Sequence, residues 1–226
     1  MKLLGNRTCV YCGSTADLTR DHIPPKSLFN KPPPPNLITV CACAKCNKAF
    51  SLDDDYFWLV LASRAEAAPN ADALHASLRA VEHLSRPEAT GFRFAFLKTL
   101  HAAELRTPSG LFIRNGVAYD VSFVRLNRVA ARITRGLFCF ERSALMPPDY
   151  VATARALDGF TPDVMEQLQP FLAFVSQEGR HSIGRVFAYQ FASVPDDPWC
   201  SLVLFTVYEA TSFLGLILKR NDNIWD

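Results

Sequence analysis

Two Cys-x-x-Cys pairs near the start of the chain, Cys9/Cys12 and Cys43/Cys46, constrain this sequence more than any other feature. Two residues between cysteines let one tight turn aim both sulfurs at a single ion. Two such pairs within forty residues have the spacing of a four-thiolate zinc site. Residues 1–50 are broken by Pro and Gly and too few to build a core, so metal binding there is also folding. "MKLLGNRT" lacks a long apolar core, so no secretory leader is expected. A cytoplasmic chain with clustered cysteines fits metal rather than disulfides. Cys41 stands two residues before Cys43 and reads as packing, with a swap into the ligand set as the alternative. Cys139 and Cys200 sit in apolar surroundings and read as core cysteines.

Between the pairs lies "RDHIPPKSLF", with Asp21 beside His22. A carboxylate offers a hard oxygen ligand, and an imidazole takes a proton near neutral pH. Adjacent residues on a strand face opposite sides, so one can hold an ion while the other meets a substrate. Asn47 directly follows the last cysteine. If a short helix starts there, its side chain returns to the same ion. "KPPPP" at 31–35 reads as a stiff spacer between two strands.

These elements in order, "CVYCG … LTRDHIPPKSLF … NLITVCACAKCNKAFSLDDDYF", resemble an HNH endonuclease of the variety with a four-cysteine zinc knuckle, over residues 9 to about 57. The resemblance implies a ββα-metal finger. It implies His22 as general base toward a water attacking phosphorus, and a divalent ion held by Asp21 and Asn47. It also implies that Asn36 hydrogen-bonds the loop backbone around His22, and that Cys9, Cys12, Cys43 and Cys46 hold structural zinc. Many relatives place His where this chain has Asn47, and Asp plus Asn suits Mg²⁺ or Mn²⁺ as the catalytic ion. The expected activity is hydrolysis of DNA phosphodiester bonds. A catalytic finger on a larger unfamiliar domain also resembles effectors of restriction or phage-defence systems. Two other readings stay open: a non-catalytic zinc finger that binds nucleic acid or protein, and an RNA-cleaving toxin, since such a finger grips the backbone rather than the sugar.

With 226 residues, 49% hydrophobic and 20% charged, the chain can fill a core beyond the finger. The expected organisation is a finger over 1–57 and an α+β domain with an antiparallel sheet over 58–226. The second domain would serve recognition, oligomerisation or docking of a partner. Net charge is only +2, yet residues 1–50 hold seven Lys/Arg against Asp17 and Asp21, which suggests an anionic partner met at the N-terminus. Arg20, Lys26 and Lys48 are the finger's candidate nucleic-acid contacts.

Ser51 is expected to cap a helix whose N-terminal end Asp53 and Asp54 complement; capping alone accounts for these acids, although a contribution to the site is the other reading. A second helix is expected over "ADALHASLRAVEHL" with Leu74, Leu78, Val81 and Leu84 along one side, and a third over 92–105. "GLFIRNGVAYDVSF" reads as a hairpin turning at Asn115-Gly116. Helices follow at about 123–137 and 162–177, then strands over 185–192, 201–208 and 211–218. The apolar run 199–218 is long enough to raise a membrane question. Glu209, Thr206, Thr211 and Ser212 argue instead for two buried strands turning near Glu209. Arg125, Arg128, Arg132 and Arg135, spaced 3, 4, 3, share one helical face. They can grip successive phosphates, meet an acidic partner or form a solvated face. His75, His83, His101 and His181 have no ligand spacing to the cysteines.

Overall fold

The computed structural model describes residues 8–107 and 109–220. Lys2 and Arg7 of the basic segment lie outside them. The chain divides into two compact units: residues to Ser77 with those from Phe123 on, and Leu78–Ser122. The finger lies within the larger unit.

The larger unit begins with the cysteine turn. Gly13 takes φ +76°, a left-handed conformation that suits glycine and lets the chain fold back after Cys12. Its N–H donates to Cys9 O at 2.9 Å, and Val10 N–H reaches Cys41 O at 2.9 Å, tying the two cysteine segments together. β1 (Leu18–Ile23) pairs antiparallel with β2 (Ile38–Cys43), with Asp21 opposite Val40 and His22 opposite Thr39. The tetraproline run lies in the connection between them, as expected. α1 (Ala44–Ala49) follows, and the Cys43 sulfur accepts the Cys46 N–H at its start. This is the ββα finger.

α2 (Ser51–Ala62) begins directly after α1. Ser51 does not cap it: its hydroxyl donates to Lys48 O at 3.0 Å, within the preceding turn. α3 (Ala71–Leu84) has the expected bounds but not the expected inner face. Leu74, Leu78 and Val81 are exposed, whereas Ala73, Ala76 and Ala80 are buried, along with Leu84 at the helix end. Small side chains thus allow close packing, and the bulkier apolar stripe faces outward.

α5 (Phe123–Arg142) and a five-stranded antiparallel sheet build most of the rest of this unit. The strands are β5 (Tyr150–Ala156), β6 (His181–Ile183), β7 (Phe187–Val194), β8 (Asp197–Val207) and β9 (Thr211–Lys219), in spatial order β5-β9-β8-β7-β6. The apolar run 199–218 is therefore two sheet strands, joined by a turn in which Tyr208 and Glu209 both take positive φ. No helix among the described residues is long and apolar enough to cross a membrane. Alternation splits β8 and β9 between two covers. Leu202, Leu214 and Leu216 pack with Leu168 and Val175 of α6 (Pro162–Ser176). Phe205 and Phe213 stack on the opposite face, where Phe57 of α2 meets Phe213 at 5.5 Å. β9 is thus covered on both sides, which explains its unbroken apolar sequence.

α5 runs between the sheet and the finger. A Cβ on Gly215 of β9 would lie 2.1 Å from Thr134 Oγ1, and one on Gly136 would lie 2.6 Å from Ile23 Cδ1 and Cγ1 of β1. Both approaches need a glycine. The Gly136 contact seats Ile23, itself fully buried, on the helix.

In the smaller unit, α4 (Thr90–Leu97) is followed by β3 (Leu100–Arg106), which pairs with β4 (Phe112–Tyr119). The expected helix over 92–105 is thus half helix and half strand. β3 and β4 are joined after Arg106 and before Phe112, where Gly110 N–H bonds Thr107 O, and not at Asn115-Gly116, which lies inside β4.

Candidate metal centre and catalytic pocket

The four expected zinc ligands converge. The Sγ atoms of Cys9, Cys12, Cys43 and Cys46 all lie within 4.8 Å of one another, with Cys12 and Cys43 at 3.7 Å. Sulfurs bound at ~2.3 Å to a tetrahedral zinc stand about 3.8 Å apart, so the cluster has the size zinc requires. Cys41 is not among them. Burial works against a thiolate at Cys9, but backbone N–H groups of Cys43, Tyr11 and Cys12 outweigh it and bring the thiol to about 7. Burial, then the sulfurs of Cys43 and Cys12 and the charge of Cys9, push Cys46 up. Sulfurs this close resist joint ionisation unless a cation neutralises them, which is the chemistry zinc supplies.

One edge of the finger opens into a pocket of about 250 Å³. Asp21, His22, Asn47, Asp54 and Arg132 line it, with Arg20 and Lys26 also at its walls. Strand alternation buries Asp21 and leaves His22 half-exposed, as adjacent positions on β1 should be. Burial, then the charge of Lys26, hold the His22 imidazole below its usual 6.5, while Asp21 acts the other way. The ring is therefore neutral at neutral pH and able to accept a proton.

Asn47 comes to the pocket on α1. Its Nδ2 donates to Thr19 Oγ1 at 3.2 Å and to Arg20 O at 3.4 Å. These bonds fix the amide and use only its donors. Its oxygen accepts no hydrogen bond among the described residues, so it remains available as a ligand. Asn36 behaves differently from expectation. It is exposed, and its side chain makes no hydrogen bond among the described residues, so the anticipated bracing of the loop around His22 is not made.

Asp21 is the most constrained group in the pocket. Its Oδ2 accepts from Tyr11 Oη at 2.6 Å and from Arg132 Nε at 2.9 Å, and its Oδ1 accepts from Arg132 Nη2 at 2.5 Å. Arg132 Nη1 meanwhile donates to both oxygens of Asp54, at 2.6 and 2.8 Å. Burial would lower the Arg132 pKa, but Asp21 and Asp54 outweigh it and hold it above the usual value. Burial raises the Asp54 carboxyl to about 6, against the pull of Arg132.

The arginine row is helical and one-sided, as its spacing requires, but it faces the chain's own finger and α2. Arg125 and Arg128 pair with Asp53 at 2.8 and 3.0 Å, and Arg135 Nε donates to Val10 O at 2.8 Å. The Arg132 side chain is 3% exposed and cannot follow a phosphate backbone. Asp53, read as a helix-end charge, is a partner of this row, and Asp54 belongs to the pocket. Arg20, Lys26 and Lys48 are exposed. Tyr11 is a site residue that sequence reasoning missed, and Arg132, read as part of a row that grips phosphates, meets a partner or faces solvent, is instead the partner of Asp21. Tyr11 lies between two cysteines, and nothing in the local sequence points Arg132 at Asp21.

No curated protein and no solved structure matches the chain. Residues 9–51 match the family model described as HNH endonuclease. Cysteine cluster, ββα order and family match agree: over residues 9–51 the chain is similar to the HNH endonucleases, with a four-cysteine cluster and a ββα finger.

Proposed function

We propose that the chain is a metal-dependent endonuclease that hydrolyses DNA phosphodiester bonds at the finger's pocket. The observation that carries this reading is that one open pocket is lined by Asp21, His22 and Asn47, a general base beside two hard oxygen ligands. Neutral His22 accepts the proton of the attacking water. Asp21 Oδ1 and the Asn47 amide oxygen would hold one Mg²⁺ or Mn²⁺, a fit judged by their oxygen donors and the unused Asn47 acceptor. That ion, when bound, supplies charge stabilisation for the scissile phosphate and the leaving oxygen. Arg20 and Lys26 at the pocket walls, with exposed Lys48, attract the phosphate backbone. Zinc on the four cysteines keeps β1 and α1 in register and stands apart from the chemistry.

The test is cleavage of an end-labelled duplex in Mg²⁺ or Mn²⁺, with a single-stranded RNA of the same sequence alongside. Duplex cut by the wild type and spared by Asp21→Ala and Asn47→Ala supports the reading; RNA cut in preference would replace DNA as the substrate. The pairing of Asp21 with Arg132 favours a second reading, a finger that binds without cutting. That reading expects a gel shift with no products at any metal concentration.

A further inference from the structure

Arg132 lies on α5, 111 residues from Asp21 and outside the segment that matches the family model. A carboxylate offers about four lone-pair sites. Tyr11 Oη and Arg132 Nε take both on Asp21 Oδ2, and Arg132 Nη2 takes one on Oδ1. One acceptor site remains, and it is on Oδ1. The guanidinium cannot rotate to release the sites it occupies, because Nη1 is held by both oxygens of Asp54 and the centre of the Phe50 ring lies 4.7 Å from its carbon. The backbone behind it is fixed as well: Gly136, one turn on, is pressed against Ile23, two residues along β1 from Asp21.

Resting on the reading that Asp21 holds the divalent ion, we propose that Arg132 is a positioning residue that makes Asp21 a one-oxygen ligand. By occupying Oδ2, with Tyr11, it prevents Asp21 from chelating through both oxygens. That restriction matters for ion choice. Mg²⁺ demands near-ideal octahedral geometry, whereas Ca²⁺ readily takes both oxygens of a carboxylate at longer distances. Arg132 therefore favours small octahedral ions and disfavours Ca²⁺. The guanidinium is not a substrate contact, since its side chain is 3% exposed.

The test uses the full chain with its cysteine site loaded with zinc and no DNA present. Free Mn²⁺ is followed by electron paramagnetic resonance, with Ca²⁺ as competitor, for the wild type, Arg132→Lys, Tyr11→Phe and Asp21→Asn. Lysine keeps the charge and loses the fork, so geometry is separated from electrostatics. Arg132→Lys should weaken Mn²⁺ by about 10- to 100-fold, the usual effect of losing a group that orients a ligand, and make Ca²⁺ a better competitor. Tyr11→Phe frees one site on Oδ2 without touching any charge. It should move the Ca²⁺ competition in the same direction by a smaller factor, and it keeps the proposal testable if the lysine variant fails to fold. Unchanged Mn²⁺ affinity and unchanged Ca²⁺ competition in both variants would overturn the proposal, leaving Arg132 a purely structural clamp. Tighter Mn²⁺ binding in Arg132→Lys would overturn it too, because the guanidinium would then be excluding the ion. Equal Mn²⁺ binding by the wild type and Asp21→Asn, or none by either, would overturn the underlying reading of Asp21 as ligand, a distinct failure from the first two.

Discussion

Replacing Gly136 with alanine tests whether α5 holds the finger at the place the pocket requires. The added Cβ would stand 2.6 Å from Cδ1 and Cγ1 of Ile23, about 0.9 Å inside the ~3.5 Å at which carbon atoms pack. Ile23 is fully buried and has nowhere to retreat. Overpacking of this kind costs about 1–3 kcal/mol, against the ~1 kcal/mol by which alanine improves on glycine in a helix. The net expectation is no stabilisation and a loss of up to about 2 kcal/mol, or a fall in Tm of up to roughly 8 °C for a chain this size. Ile23→Val should cost about 1 kcal/mol alone. Because it removes Cδ1, the double variant should lose less than the two single losses combined. Thermal and urea denaturation of the four proteins, at matched zinc content, measure this. Stabilisation by Gly136→Ala, as at an exposed helix glycine, would refute the packing of α5 on β1.

Other consequences follow from the same geometry. The purified chain should hold one zinc, by elemental analysis, and Cys12→Ser should lose both the metal and the finger's folded circular dichroism signal. Arg132→Ala should cost about 3–5 kcal/mol in urea denaturation, because it strands the buried Asp21 charge; a change under 1 kcal/mol would contradict the observed burial. The kcat/KM profile for cleavage should fall as pH drops through the His22 pKa, with its midpoint below 6.5, since protonated imidazole cannot accept the water's proton. A midpoint above 6.5 would contradict the environment described for that ring.

The finger was legible because its signals are local. Cysteine spacing, the adjacent Asp21 and His22, and Asn47 directly after Cys46 report geometry within a few residues, and the structure gathers them as the pattern demands. α5 was legible as a helix with one arginine face, since periodicity reports which residues share a side. It does not report what that side meets. Arg132 and Asp21 are distant in sequence, and the same spacing describes a phosphate grip, a solvated face or an internal clamp. The smaller unit misled for another reason. Ala102, Ala103, Glu104 and Leu105 favour helix, yet pairing with β4 decides their conformation. Asn115-Gly116 is a strong turn signal, but "TPSG" at 107–110 is also one, and it is this stretch that lies between the paired strands. The alanine face of α3 was missed because hydrophobicity ranks leucine first, whereas close packing selects for small size.

The central claim is that His22 is the base of a metal-dependent nuclease pocket, and plasmid cleavage tests it most directly. Supercoiled DNA is incubated with wild type and His22→Ala at equal zinc content, in Mg²⁺ or Mn²⁺ and in EDTA. The account expects metal-dependent cutting by the wild type and a rate lower by about 10²–10⁴-fold in His22→Ala, with the DNA gel shift and Tm nearly unchanged. Equal cleavage by the two proteins, or no cleavage by the wild type in either metal, would contradict it.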